Sequence, residues 1–412
     1  MKVLWLCNMV PSRVAGAITG REETGGLWVD QVLDGLLEAG VTLRVLCPGT
    51  GEGGTLGDTL SYGTFREGVP YRYLPELEEA FSRELLTGKP DVVHIWGVEF
   101  GHTLAMVNAC RRACLPDRTV VSIQGLCGFI AGHYLEGLPQ RVARGWTFRD
   151  LLRWDNPRQQ QRKFTRRGRL EVEALAQVKH IIGRTTWDRA CTRAINPDAQ
   201  YHFCNETLRR DFYTGQWSYE ACRKHRIFAS SCAYPVKGFH YLLEAFARVL
   251  EEYPDATLAV TGKDPRTVPF YRRGRYQRYL MTLLEQYHLA GKVEFLGGLS
   301  AGQMKAQYLR ANVFVLPSTI ENSPNSLGEA MLLGVPCVAS DVGGVKDLLR
   351  HGREGRVYQS TAPYMLAYHI GEIFALEQEA EDLGQAARHH ALQTHDPKEN
   401  LDTLIEVYQT IS

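Results

Sequence analysis

Residues 313-VFVLP-317 run directly into 318-STIENSPNSLGEAMLLGVPCVAS-340. The unbroken apolar run Val313–Leu316 predicts a buried strand, and Val335–Ala339 predicts another. Between them, Ser323 reads as a helix N-cap and Pro324 as the first helical residue, where a missing N–H costs nothing. Leu327, Ala330, Met331 and Leu332 supply an apolar stripe, and Gly334 stands where a left-handed cap is wanted. The unit is therefore strand–loop–helix–strand of a parallel sheet, and such sheets bind ligands at the carboxyl ends of their strands. Glu321 falls in the strand-to-helix loop. The N–H groups of Asn325, Ser326 and Leu327 lie at the positive end of the helix dipole, an anion site that a diphosphate would fit. Glu329, eight positions beyond Glu321 and about two turns into the helix, can accept two hydrogen bonds from vicinal hydroxyls. The alternative for the same spacing is a pair of solvated acids, one in a loop and one on a helix face.

The chain has 412 residues, 44% of them hydrophobic, with a net charge of +1. Those bounds predict a globular protein of two domains with no strong preference for polyanions. Lys2–Cys7 reads as a strand rather than a signal peptide, and no apolar run approaches the ~18 residues of a membrane helix, so a cytoplasmic location is expected. The ten cysteines are scattered without a Cys-x-x-Cys pair, which predicts free thiols in a reducing compartment and no metal site.

Strands and helices alternate along the chain, which predicts an α/β protein with two doubly wound parallel sheets. In the first half, strands are expected near 2–7, 42–47, 91–96, 119–123, 179–183 and 200–203, with helices near 26–39, 100–114, 166–177 and 186–195. The aperiodic stretch 204–225 makes a linker. Strands near 226–230, 256–261, 292–296, 312–316 and 336–339 follow, with helices near 238–252, 274–288, 300–309 and 324–333. The tail from 363 is helical. Its last segment is expected to return to the first domain, giving domains of 1–205 and 206–395 with a crossing helix over 396–412.

With Glu321 and Glu329, Tyr234-Pro235-Val236-Lys237-Gly238 before a helix, 293-VEFLGGLS-300 and 308-YLRANVFVLPS-318 in view, the second half resembles the retaining nucleotide-sugar glycosyltransferases of family 4. The first half resembles them more loosely, through Thr24-Gly25-Gly26 and 91-DVVHIWG-97. The resemblance implies two Rossmann-like domains facing a cleft, the GT-B fold. It implies transfer of a sugar, with retention, from a nucleoside diphosphate sugar to a hydroxyl of a glycan or glycolipid. Lys237 resembles the lysine that neutralises the donor diphosphate. Glu321 resembles the acid that touches the donor sugar, and Glu329 the ribose-binding acid. Gly25, Gly26, Gly262, Gly297, Ser323, Asn325, Ser326 and Leu327 complete the implied donor site, where glycines let the backbone approach the ligand. His94 matches a histidine common in the family, although a hydrogen-bonded structural histidine fits the position equally well.

Some residues depart from the family pattern. Cys232 stands where an arginine is usual, so one phosphate cation is absent; Arg184 and Lys263 are the candidate replacements. Gln124 stands where histidine is frequent and cannot exchange a proton at neutral pH, although it can orient a sugar hydroxyl. Asp347 stands where glutamate is usual, and Gly343-Gly344 fits either a donor loop or a plain turn. No Asp-x-Asp occurs, so lysine and helix dipole are expected in place of a metal. The glycine-rich stretch 124–139, with His133 and Tyr134, is the candidate acceptor-facing loop, and Arg184 joins it as an acceptor-side candidate. Residues 141–169 carry ten arginines and lysines against two aspartates, interleaved with Val142, Trp146, Phe148, Leu151, Leu152 and Trp154. That pattern fits an anionic membrane surface at the inner face, an anionic saccharide, or an arginine-rich helix packed on its own domain; no nucleic-acid motif accompanies it. A nucleotide-sugar epimerase of similar shape and a non-catalytic nucleotide-sugar-binding protein are the rival functions.

Overall fold

The computed structural model describes residues 1–20 and 28–412. The expectations for Thr24, Gly25 and Gly26 lie outside the described residues. The chain divides into two compact units: 1–131 with 163–209 and 395–412, and 132–162 with 210–394.

In the first unit the strands are β1 (Lys2–Cys7), β2 (Thr42–Pro48), β3 (Gly54–Leu56), β4 (Leu60–Phe65), β5 (Val92–Trp96), β6 (Thr119–Ser122), β7 (His180–Gly183) and β8 (Gln200–Phe203). They form one sheet in the order β3-β4-β2-β1-β5-β6-β7-β8. All neighbours are parallel except β3, which runs antiparallel to β4. Along β1, Leu4 and Leu6 belong to one apolar cluster while Val3, Trp5 and Cys7 belong to another. This alternation of period two places a core on each face, as a parallel sheet requires.

The second unit contains β9 (Arg226–Ala229), β10 (Thr257–Val260), β11 (Val293–Phe295), β12 (Val313–Leu316), β13 (Cys337–Ser340) and β14 (Arg356–Tyr358). Their order is β11-β10-β9-β12-β13-β14, with every pairing parallel. The order reverses direction at β9, which has β10 on one side and β12 on the other. Loops leaving β9 and β12 at their carboxyl ends therefore diverge to opposite faces and leave a crevice between them.

Several expectations need correction. Strands β3, β4 and β14 were not legible: β3 and β14 have three residues each, and β4 is interrupted by Gly63, where a side chain would press on Arg44 and Leu46. The helix expected near 166 begins at Pro157, since the polar residues of 157–165 mask its start. Residues 132–162 belong to the second unit rather than the first. The cause is specific bonding: the Asp150 carboxylate accepts the Arg275 N–H at 3.0 Å, and Thr319 Oγ1 donates to the His133 carbonyl at 3.2 Å. The final helix, Pro397–Ile411, packs Leu404, Val407, Tyr408 and Ile411 into the core of the first unit.

Candidate donor site

Lys237 ends a short 3-10 turn, Pro235–Lys237, in the loop after β9. Gly238 follows with φ +64°, and a Cβ there would lie 1.7 Å from the Pro317 carbonyl oxygen, so only glycine lets this loop lie against the end of β12. The Thr319 N–H donates to the Val236 carbonyl at 2.8 Å and closes the two loops together. The result is an ion pair: Lys237 Nζ stands 2.6 Å from Glu321 Oε1. Ser318 Oγ donates to the same oxygen at 2.7 Å. Glu321 is 11% exposed and Lys237 36%, so the pair is partly open to solvent.

The floor of this arrangement is rigid. Ser340 Oγ donates to the Ser318 carbonyl at 2.6 Å, and the Gly344 N–H donates to the Glu321 carbonyl at 3.2 Å. Gly343 has φ +51°, and a Cβ there would meet the Glu321 oxygen at 1.8 Å. The turn at Gly343-Gly344 thus supports Glu321 from below.

The helix beside the pair is Asn325–Leu333, one residue later than expected at its start. Pro324, at φ −72° and ψ 109°, is the N-cap itself, in place of Ser323. Leu327 also departs from expectation, because its N–H donates to the Pro324 carbonyl at 2.9 Å. The amides left facing outward at the helix start are those of Asn325 and Ser326. The buried Tyr308 hydroxyl donates to the Ser326 carbonyl at 2.9 Å and holds that first turn in place. Glu329 is the fifth helical residue, just past the first turn rather than two turns in. At 3% exposure it is buried, which removes the solvated-face alternative.

Gly262 and Gly297 close the ends of β10 and β11 by a mutual pair of backbone hydrogen bonds, 2.9 and 3.2 Å. Gly262 has φ +118° and its missing side chain leaves room for the Cys232 sulfur. Cys232 is buried, donates to the Thr261 carbonyl, and burial pushes its thiol up to about 12, so it stays neutral where a cation was expected.

The remaining candidates lie elsewhere. His94, in the middle of β5, is fully buried, with Nδ1 at 2.5 Å from the Tyr408 hydroxyl and Nε2 at 2.7 Å from Ser122 Oγ. Burial lowers its pKa to about 3, and both nitrogens are occupied, so the structural alternative holds and the catalytic expectation is corrected. Gln124 accepts from Arg184 at 3.1 Å. Arg184 is 7% exposed and pairs with the buried Glu206 at 3.1 Å, which removes it both as a phosphate cation and as an open acceptor contact. Lys263 is exposed and makes no ion pair among the described residues. His133 is half exposed and pairs with Glu136 at 2.9 Å, whereas Tyr134 is buried at 2% exposure.

Ser318 and the glycines at 238 and 343 were not singled out from sequence for their part in this pair. The Ser318-x-x-Glu321 spacing, a local side-chain hydrogen-bond pattern, was the available signal.

Residues 222–390 match the family described as "Glycosyl transferases group 1". A GDP-mannose-dependent alpha-(1-6)-phosphatidylinositol monomannoside mannosyltransferase of Mycolicibacterium smegmatis is 28% identical over 165 residues, 38% of this chain and 41% of that protein. The chain spans less than half the length of the curated relatives it matches. Among solved structures, sucrose-phosphate synthase from Thermosynechococcus elongatus superposes with TM-score 0.72 at 16% identity, over 99% of this chain and 98% of that one. Anabaena HepE in complex with UDP and glucose gives TM-score 0.69 at 16% identity, over 99% of both chains. These likenesses are of fold, and the fold they share is GT-B.

Proposed function

We propose that the protein is a retaining, metal-independent glycosyltransferase that moves a sugar from a nucleoside diphosphate sugar to a hydroxyl of a glycan or glycolipid. The observation that carries the reading is the Lys237–Glu321 pair at the switch point of the second sheet, beside an open helix start, inside the segment that matches the family. The Lys237 ammonium and the amides of Asn325 and Ser326 are suited to charge that builds on the leaving diphosphate. Glu321 faces the sugar, and Glu329 takes the ribose hydroxyls. In the reaction, the bond from the anomeric carbon to the phosphate oxygen breaks as the acceptor oxygen bonds to the same face. The acceptor proton passes to the leaving phosphate oxygen, so Gln124 need not act as a base and no histidine is required. Lysine and amide hydrogens carry the charge that a metal would otherwise carry, in keeping with a sequence that has no Asp-x-Asp.

The test is incubation with UDP-, GDP- and ADP-sugars and a panel of hydroxyl acceptors, with and without chelator, following nucleoside diphosphate release and the anomeric configuration of the product. Acceptor-dependent release with retained configuration and no loss in chelator is expected. Inverted product, or rescue by Mg²⁺ after chelation, overturns the reading. Interconversion of donor sugars without an acceptor would identify an epimerase, and binding without turnover a carrier.

A further inference from the structure

A cavity of about 840 Å³ in the second unit is not the Lys237–Glu321 site but adjoins it, sharing the loop Ala233–Pro235 as a wall. Its other walls come from the segment around 148–160 and from 263–277, and its size is that of a small-molecule site. The charge inside is uneven. Both acids in the lining are already engaged: Arg149 bonds Asp150 at 3.2 Å and Asp155 at 3.0 Å, and Asp150 also caps the Phe148–Arg153 helix through the Thr147 N–H. The Arg275 guanidinium is held by the Arg141 carbonyl at 2.9 Å. Arg153, Lys263 and Arg272 line the same cavity and pair with no carboxylate among the described residues.

The mouth is apolar. Phe148 is 61% exposed, Leu152 72% and Tyr271 58%, and all three line the cavity. The adjacent Leu151, Trp154 and Phe270 are exposed as well, and the helix Phe148–Arg153 packs against the turn Phe270–Arg272. Isolated exposed apolar residues need no explanation, but a cluster of large ones around unneutralised cations does. Three cations in a chain of net charge +1 are a local feature, complementary to a ligand with an anion and a hydrocarbon part.

We propose that this cavity is a docking site for the phosphate head of an anionic lipid, with Arg153, Lys263 and Arg272 around the phosphate and Phe148, Leu152 and Tyr271 against the lipid's apolar region. Arginine suits the role because its planar fork matches phosphate oxygens. The site is independent of sugar transfer, since binding there requires no donor and no turnover.

The experiment is co-flotation of the full chain with phosphatidylcholine vesicles, with and without phosphatidylglycerol, beside calorimetric titration with soluble glycerol phosphate. Salt-sensitive flotation only with the anionic vesicles is expected. Arg153→Glu with Arg272→Glu, a change of four charge units, should lower partitioning by roughly a thousandfold, taking about a fivefold effect for each unit of charge near an anionic surface. Phe148→Ser with Leu152→Ser should lower flotation while leaving glycerol phosphate binding in place. Nucleoside diphosphate binding and the melting transition, unchanged in both variants, establish that each is folded. Equal flotation with neutral vesicles, no flotation with either, or glycerol phosphate binding without flotation overturns the proposal; the last would mark a soluble phosphate ligand instead.

Discussion

Substituting the two members of the Lys237–Glu321 pair should change nucleotide affinity in opposite directions. In the free protein the ammonium is 2.6 Å from the carboxylate, and Ser318 holds that carboxylate from the other side. An incoming diphosphate gains the ammonium as a donor but approaches a negative charge. Lys237→Ala removes a charge-assisted hydrogen bond of about 1.5–3 kcal/mol, which weakens nucleoside diphosphate binding by roughly 10- to 150-fold. It should leave affinity for the free nucleoside nearly unchanged, because the nucleoside has no phosphate to meet. Glu321→Gln keeps an acceptor for Ser318 and removes only the charge. Because Lys237 is more than a third exposed, solvent screens the pair, and relief of the repulsion is set at about 1 kcal/mol, a tightening of roughly fivefold. Turnover should nonetheless fall about 100- to 1,000-fold in Glu321→Gln, since the sugar loses a group aligned for the transition state. Calorimetric titration of both single variants and the double variant with the preferred nucleoside diphosphate gives the coupling directly. If Glu321→Gln weakens binding as much as Lys237→Ala, or leaves turnover intact, the assignment of the pair is wrong.

Three further outcomes are expected. Gly238→Ala should cost about 2–4 kcal/mol in urea denaturation, from a left-handed backbone and a Cβ 1.7 Å from the Pro317 oxygen; an unchanged midpoint would mean the loop does not lie where it is described. His94, His102 and His240 have pKa values lowered by burial to about 3, 3 and 4 from 6.5. The unfolded chain therefore takes up protons that the folded one refuses, so stability should be full above pH 6.5 and decline toward pH 3, by about 1.4 kcal/mol per unit for each histidine; a flat profile across that window would contradict their burial. Glu171 has the opposite sign: burial raises its pKa from 4.5 to about 8, although it accepts the Cys127 and Gly128 N–H groups. Its protonated form is favoured in the fold, so its contribution is present below pH 4.5 and lost as pH rises to about 8. The loss should be absent in Glu171→Gln, and persistence of the same slope in that variant would assign it to another group.

Much of the second sheet was legible because its strands are short apolar runs and the helix Asn325–Leu333 begins after Pro324 and ends on Gly334. The boundaries near 313–316, 325–333 and Gly334 rest on local sterics, and they shifted by no more than a residue. The N-cap moved because Pro324 satisfies an extended conformation as readily as a helical one, and nothing in the tetrapeptide chooses between them. His94 could not be placed from sequence: a histidine within a strand reads the same whether it faces solvent or a buried tyrosine, and Tyr408 is 314 positions away. The same holds for 132–162, which lie between β6 and β7 of the first sheet in sequence yet bond within the second unit through Asp150 and His133.

By itself, then, the amino-acid order established the alternation of strands and helices and marked Glu321 and Glu329 as chemically notable, because propensity, capping and apolar period act over a few residues; Lys237 was marked only through the resemblance to a family motif. Which strands lie side by side was settled only in three dimensions. Backbone hydrogen bonds between strands are indifferent to side-chain identity, so adjacency of β9 and β12 follows from packing both faces of the sheet at once. That adjacency brings together a lysine and a glutamate 84 positions apart and turns two separate motifs into one candidate site.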